Sequence, residues 1–376
     1  MLMRNNAGRE VVFAVHDQHM LDGLVVHWRD LCGRCVEDTV YYAPDYAMAL
    51  LKTVASTRDV KFVTAWQDSR LIGLLPVEVR KIPVPGVIVA GRAWSTDYTF
   101  SCLPLLDRGH AVAAAAALLD GLASLARGEW VIPNINLEGP ACSALVEALS
   151  MRGSPWSIDR KFARASLSKG LTFETHMKEH VSSKRRRELG RNRRRLEELG
   201  IVSVRTETHG AGLAEAVGVF LELEASGWKG ERRTALASNT ASRAFAELAF
   251  GTNDTSRVDL LLLNDKPIAA GVIVFSGTTG FTVKGAYDEA YAGYGAGLLL
   301  EQEVIRSFLN ENWASRLDAA TDGSHVIDYL WPEKVEVAEL TFSLASSAAR
   351  QRLRGVILAG KAVDFAKVRL KKLLKR

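Results

Sequence analysis

Alternating apolar and polar positions mark a first strand at Val11 to Val15, and helical spacing predicts helices over Gln18 to Leu31 and Asp45 to Ala55. Lys61 to Trp66 and Leu71 to Val79 read as strands joined across Gln67-Asp68-Ser69-Arg70, followed by a short strand at Val87 to Gly91. After an irregular Trp94 to Pro104 stretch, the pattern predicts a helix (Ala111 to Ala126), a strand (Trp130 to Asn136), a helix (Ala141 to Met151) and a strand (Ser157 to Leu167). The second half repeats this order. Ile201 to Thr206 is a strand, and Leu213 to Glu224 and Ala241 to Phe250 are helices. Val258 to Leu263 and Ile268 to Phe275 form a hairpin across Asn264-Asp265-Lys266-Pro267. Then come a strand (Phe281 to Tyr287), a helix (Leu298 to Leu309), a strand (Arg316 to Ala320), a short helix (His325 to Leu330) and a closing strand (Val337 to Leu344). No residue-level repeat accompanies the repeated order, so the duplication is one of architecture.

Within that order, Gly280 to Asn312 holds the most chemistry. A strand feeds Tyr294-Gly295-Ala296-Gly297, which opens an apolar-periodic helix. The first turn of a helix carries unpaired N–H groups and the positive end of the dipole, which suit a phosphate or pyrophosphate. Glycines there let a ligand approach the backbone closely, although small residues opening a helix serve packing equally well.

Composition narrows the picture. The 376 residues, 48% hydrophobic and 24% charged, exceed what one hydrophobic core usually serves, so two domains are expected. No apolar run approaches the roughly 18 residues a bilayer span needs, and the opening MLMRNNAGRE shows no secretory signal, which predicts a cytoplasmic protein. The four cysteines are too few for a disulfide framework. Cys32-Gly33-Arg34-Cys35 closes a helix and lacks a second pair to complete a metal site, so it reads as structural. His176 and His180, at i and i+4 without a third ligand, read as solvated groups on a polar helix, and no metal is expected.

Positive charge is concentrated. His176 to Gly200 carries nine Lys/Arg and four Glu, Ala345 to Arg376 carries ten Lys/Arg and one Asp, and the remainder is net negative. The first segment reads as a helix with cations in nearly every direction, either solvated or reading the phosphates of CoA, a nucleotide sugar, an anionic polysaccharide or RNA. The second has Leu353, Val356, Ile357, Val363, Leu370 and Leu374 at helical spacing. Such a basic amphipathic tail either packs on the body or lies peripherally on the inner face of an anionic membrane.

The order of elements, with its third strand turning into a helix through a glycine loop, resembles the GNAT acyl-CoA N-acyltransferase fold. The motifs Ser182-Ser183-Lys184-Arg185-Arg186-Arg187-Glu188-Leu189, Arg193-Arg194-Arg195-Leu196-Glu197-Glu198-Leu199-Gly200, Gly227-Trp228-Lys229-Gly230 and Tyr287-Asp288 resemble the acetyltransferase domain of the CelD-type family, associated with cellulose and exopolysaccharide biosynthesis and related to the FemABX transferases. The resembling region runs from about Thr172 to Glu333. The resemblance implies an α+β fold with a mixed sheet: a degenerate GNAT-like lobe over 1–168, a GNAT acyltransferase domain over 169–344 including the basic helix 176–200, and the basic helical tail over 345–376.

It also implies transfer from acetyl-CoA or a longer acyl-CoA to an amino or hydroxyl group of a saccharide or other cell-envelope precursor. The N–H groups of Tyr294, Gly295, Ala296, Gly297 and Leu298 are then expected to hold the pyrophosphate. A backbone N–H at Ala286 or Tyr287 would face the thioester oxygen. Asp318, inside a strand, is the first choice of general base; Asp322 serves equally as base or helix cap. Tyr287, Tyr291, Tyr294 and Tyr329 are candidate proton donors to the departing thiolate. Trp228 and Lys229 line an acceptor groove or serve as packing residue and exposed charge, and Arg186, Asp288 and Tyr329 complete the expected substrate contacts. A Tyr-Lys pair usual in the family's last motif is replaced by Tyr329-Leu330-Trp331. Two other readings stay open: an aminoacyl-tRNA-dependent transferase whose basic helix holds RNA, and a non-catalytic scaffold in a polysaccharide assembly.

Overall fold

The computed structural model describes residues 10–79, 89–323 and 325–345. The tail helix and the start of the strand expected at Val87 fall outside them. The first half contains β1 (Val11–Asp17), α1 (Val25–Cys32), α2 (Pro44–Lys52), β2 (Lys61–Gln67), β3 (Arg70–Val79), β4 (Val89–Ala93), β5 (Leu105–Leu106), α3 (Ala111–Leu125), β6 (Glu129–Asn136), α4 (Pro140–Met151) and β7 (Trp156–Ser168). The second contains α5 (Phe173–His180), α6 (Ser183–Glu197), β8 (Val202–Glu207), α7 (Gly210–Ser226), α8 (Trp228–Glu231), α9 (Thr240–Gly251), β9 (Ser256–Leu263), β10 (Lys266–Ser276), β11 (Thr279–Tyr287), α10 (Ala296–Asn310), β12 (Arg316–Asp318) and β13 (Glu333–Ser343).

The strands form one mixed sheet in the order β1-β2-β3-β4-β6-β13-β7-β12-β11-β10-β9-β8, with β5 paired to β3. Two long strands cross between the halves. β13, last in sequence, lies antiparallel between β6 and β7, while β7, which ends the first half, pairs with β12 of the second. The break expected at residue 168 therefore falls at the end of a first-half strand whose two neighbours in the sheet both come from the second half. Aromatic edges join the lobes on one face: Tyr41 meets Phe281 at 5.6 Å between ring centroids, and Tyr46 meets Phe245 at 5.3 Å.

Local chemistry explains where several elements stop. The basic segment is two helices, not the one expected over 176–200. α5 ends at His180, Val181 is extended and buried, and the Ser182 side chain caps α6 by accepting from the Arg185 N–H at 3.3 Å. The Arg186 guanidinium folds back to donate to the carbonyls of Met177 (3.0 Å) and Lys178 (2.9 Å), and to Val181, closing the end of α5. The expected strand over Arg316 to Ala320 stops at Asp318 because Ala320 adopts φ +49°. His176 is buried, not solvated: its Nε2 pairs with the Leu330 carbonyl at 2.9 Å, and burial lowers its pKa. The cysteine thiols are free, and burial pushes the Cys32 pKa up to about 12, so the C-x-x-C pair holds no ready thiolate.

Among the described residues no helix is long and apolar enough to cross a membrane, and no group of three or more His, Cys, Asp or Glu is placed to hold a metal ion.

Candidate functional site

The site begins where two parallel strands part. β11 pairs with β12 over three residues only, Thr279 to Phe281 against Arg316 to Asp318. β11 then continues to Tyr287, while the chain beyond Asp318 turns toward β7, where the Ala319 N–H donates to the Ala165 carbonyl at 3.0 Å. A wedge therefore opens along the β12-facing edge of residues 282–287. Its local shape is set by a bulge: Lys284 lies opposite Val272 and Thr282 opposite Ile273, leaving Val283 as the extra residue.

The register on the other side of β11 decides which of its amides face the wedge. Asp288 N–H donates to the Ile268 carbonyl at 2.8 Å, so that pair is a hydrogen-bonded one. Alternation along an antiparallel ladder then makes Ala286 and Ala270 a bonded pair, with Tyr287 and Gly285 in non-bonded positions. Of the two amides proposed from sequence, Ala286 N–H is spent on β10. Tyr287 N–H faces the wedge.

Next comes the glycine turn. A 3-10 helix (Glu289–Tyr294), capped by Asp288 Oδ1 accepting from Ala290 N–H at 3.0 Å, precedes Gly295, whose φ of +65° suits glycine. Asp288 also meets Lys266 Nζ at 3.3 Å, so its carboxylate helps to hold the turn. Gly295 offers no side-chain cap to α10, leaving the first-turn amides of Ala296, Gly297 and Leu298 without one. The Tyr287 ring covers this turn so closely that a Cβ at Gly297 would lie 3.3 Å from Tyr287 Cδ1.

α6 runs alongside. A Cβ at Gly295 would lie 3.0 Å from Asn192 Nδ2, and Arg195 donates to the Gly293 carbonyl at 3.3 Å while its guanidinium sits 4.8 Å from the Tyr294 ring centroid. The preceding turns of α6 line a groove of about 1400 Å³ with Lys184, Arg185, Arg187, Arg191 and Arg194, and Tyr329 closes it, its ring 4.7 Å from the Arg185 guanidinium. Arg185 pairs with Glu188, and Arg193 with Glu197 and Glu303. Lys184, Arg191 and Arg194 have no ion-pair partner among the described residues. Cations beside an uncapped helix start make this corner strongly attractive to an anion.

On the wedge side, the last turn of α7 carries Glu224, a carboxylate with no exposed surface. Its Oε1 meets Lys229 Nζ at 3.2 Å and Lys284 Nζ at 3.5 Å, and its Oε2 accepts from Leu236 N–H at 2.7 Å. Lys229 also donates to the Gly285 carbonyl at 3.0 Å, the wedge-facing edge of β11. Burial lowers the Lys229 pKa, the Glu224 carboxylate opposes that shift, and Lys284 adds to it. Trp228 is 44% exposed, carries Arg232 over its ring at 5.1 Å, and donates its backbone N–H to Glu289 Oε1 at 2.6 Å. Partial desolvation lowers the His325 pKa, the nearby Asp328 carboxylate opposes that shift, and Lys229 adds to it. Sequence reasoning placed Trp228 and Lys229 here but missed Glu224, Lys284 and His325. The signal for Glu224 was present: it continues the apolar stripe Leu213, Ala216, Val217, Phe220, Leu221 as a lone acid.

The structure places the two aspartates in different surroundings. Asp318 is buried against Arg164, with Nε to Oδ1 at 2.8 Å and Nη2 to Oδ2 at 2.9 Å, and Oδ1 also accepts from Ala320 N–H at 2.8 Å. Both oxygens are engaged, so the carboxylate is tied down as one half of a buried ion pair. Asp322 is exposed and does not cap the following turn. That role belongs to His325, whose Nδ1 accepts from Ile327 N–H at 3.4 Å.

One further acid sits on the second turn of α10. Burial raises the Glu301 pKa from 4.5 to about 7 although Trp331 Nε1 donates to Oε1 at 2.9 Å. Because the folded value lies above the unfolded one, the stability this carboxyl contributes is complete below pH 4.5 and is lost as pH rises through 7. Glu301→Gln is expected to be more stable than the parent at pH 8 by about 1–3 kcal/mol and to melt higher, with the gap closing near pH 4.5; paired thermal melts across pH read this directly. Equal melts at pH 8 would show that water reaches the carboxyl.

Residues 183–325 match the model of the Acetyltransferase (GNAT) domain. The structure resembles the crystal structure of FemX (TM-score 0.57, 11% identity, 89% of this chain and 98% of that one). It also resembles a conserved protein of unknown function from Bacteroides thetaiotaomicron VPI-5482 (TM-score 0.53, 11% identity, 85% and 97%). A tandem GNAT protein from the clavulanic acid biosynthesis pathway aligns over 90% of this chain at a TM-score of 0.43 and 14% identity. No curated protein matches. The fold is thus a mixed α/β, GNAT-like one, with the wedge and the glycine turn inside the matched segment.

Proposed function

We propose that the chain is an acyltransferase that moves an acetyl or longer acyl group from acyl-CoA to an amino or hydroxyl group of a saccharide or other cell-envelope precursor. The observation that carries this reading is the uncapped start of α10 set against the open edge of β11. An acyl-CoA pyrophosphate on the amides of Ala296, Gly297 and Leu298 leads its pantetheine arm into the wedge. The thioester oxygen then lies within reach of Tyr287 N–H, a preorganised donor of the kind whose removal costs roughly 3–4 kcal/mol of transition-state stabilisation. The acceptor amine or hydroxyl attacks the thioester carbon from the side of Trp228 and Lys229. The new C–N or C–O bond forms, the C–S bond breaks, and the thiolate leaves with CoA. His325, whose charge is felt by and feels that of Lys229, is the group available to take the acceptor's proton, since Asp318 and Glu224 are both ion-paired. The saccharide and exopolysaccharide assignment rests on the CelD-type motif run from Ser182 to Gly230.

The groove along α6 favours one rival, a donor presented on RNA. Calorimetric titration with acetyl-CoA, longer acyl-CoAs and tRNA separates the two. Saturable acyl-CoA binding is expected, weakened about tenfold, or ~1.4 kcal/mol, by Arg191→Glu with Arg194→Glu. Tight, salt-sensitive tRNA binding without acyl-CoA binding would replace this reading with the RNA-dependent one, and binding of neither would leave a scaffold.

A further inference from the structure

Around Glu224 the charges do not balance. One oxygen, Oε1, faces the ammonium groups of both Lys229 and Lys284, at 3.2 and 3.5 Å, while the other oxygen is taken by the Leu236 amide. One buried negative charge therefore answers two positive ones, which sharing a single oxygen holds within about 7 Å of each other. Lys229 places a second donor on the Gly285 carbonyl; Lys284 has no further partner among the described residues. Its position is set by the bulge at Val283, a backbone feature that re-aims a side chain at a strand edge. The neighbouring acids do not supply the missing charge: Glu289 is held on the Trp228 amide, and Asp288 caps its own turn and pairs with Lys266.

We infer that Lys229 and Lys284 form an anion subsite for the acceptor, taking a carboxylate or phosphate carried near its attacking amine or hydroxyl. This rests on the acyltransferase reading and adds the acceptor's charge to it. Two partly buried ammonium groups crowded on one carboxylate gain a counter-ion when such an acceptor enters, and a neutral acceptor leaves them as they were. The glycine turn takes the donor's phosphates through backbone amides; the lysine pair takes the acceptor through side chains. A single wedge thus sorts two anionic molecules by two chemistries.

The test uses the full-length protein with its lysines reductively ¹³C-methylated and followed by NMR. Inorganic phosphate, glucosamine 6-phosphate, acetate and glucosamine are titrated separately. Phosphate and glucosamine 6-phosphate are expected to shift the Lys229 and Lys284 signals saturably, and glucosamine is expected to leave them unmoved. Acetate distinguishes a carboxylate from a phosphate preference. Unmethylated Lys284→Met is expected to bind glucosamine 6-phosphate at least tenfold more weakly by calorimetry, and Lys284→Arg to retain most of the affinity. An unchanged titration in Lys284→Met, or no shift at either lysine with any anion, overturns the subsite. Acetyl-CoA titrated into the same preparations keeps the two claims apart: lysine signals that answer phosphate in a protein that ignores acetyl-CoA would preserve the subsite and reject the acyltransferase.

Discussion

Asp318→Asn is expected to destabilise the fold by about 3–5 kcal/mol, read as a lower denaturation midpoint. The carboxylate and the Arg164 guanidinium are both almost wholly out of water, at 8% and 4% side-chain exposure, and each is the other's counter-ion. Arg164 also donates to the Phe100 carbonyl, so the pair ties β7 and β12 to the irregular segment after β4. An asparagine keeps the shape but removes the charge, leaving a buried guanidinium without a counter-ion and turning an amide N–H₂ toward it. Removing both charges tests the explanation: Arg164→Met with Asp318→Leu is expected to recover part of the loss, because the uncompensated charge disappears with its partner. An asparagine variant as stable as the parent but without turnover would return Asp318 to the chemistry.

Gly297→Glu separates binding from folding in the opposite way. It is expected to abolish acyl-CoA binding, with affinity falling more than about 100-fold, or ~2.7 kcal/mol, while the melting temperature holds. A carboxylate in the first turn of α10 interacts favourably with the helix dipole, so the helix loses nothing. The same carboxylate occupies the place proposed for the pyrophosphate and repels its charge. Its Cβ also arrives 3.3 Å from the Tyr287 ring, which must shift and narrow the wedge. Calorimetry with acetyl-CoA beside a thermal melt reads both halves; retained affinity would move the donor site elsewhere on the molecule.

Local periodicity carried much of the architecture. The helix over Ala111 to Ala126 and the hairpin around Asn264-Asp265 lie within a residue or two of α3 and the β9–β10 turn, because their apolar stripes are regular and their breakers strong. Periodicity failed where tertiary contact decides. Nothing near Asp318 in sequence announces Arg164, which lies on a different strand and makes the difference between a base and a buried ion pair. The end of α5 was hidden by polarity: the stretch around it is mostly polar, with no glycine or proline to mark a stop, and only the buried Val181 and the folding back of Arg186 show the break. His176 looked solvated for the same reason, although its ring is inside and paired to Leu330. The glycine turn was legible because φ +65° at Gly295 is a requirement of the backbone itself. Which amide of β11 faces the wedge was not, since it depends on the pairing with β10.

The placement of β13 between β6 and β7 has a consequence for how the chain is made. Residues 333–343 leave the ribosome after all the other strands, yet they fill the middle of the sheet. Until then β6 and β7 each present an unsatisfied row of backbone donors and acceptors, and the two halves of the sheet lack the strand that welds them. Completion of the described sheet waits for β13, so a chain truncated before Glu333 would retain every described helix and still have an open seam through its centre, a template for pairing with another nascent copy.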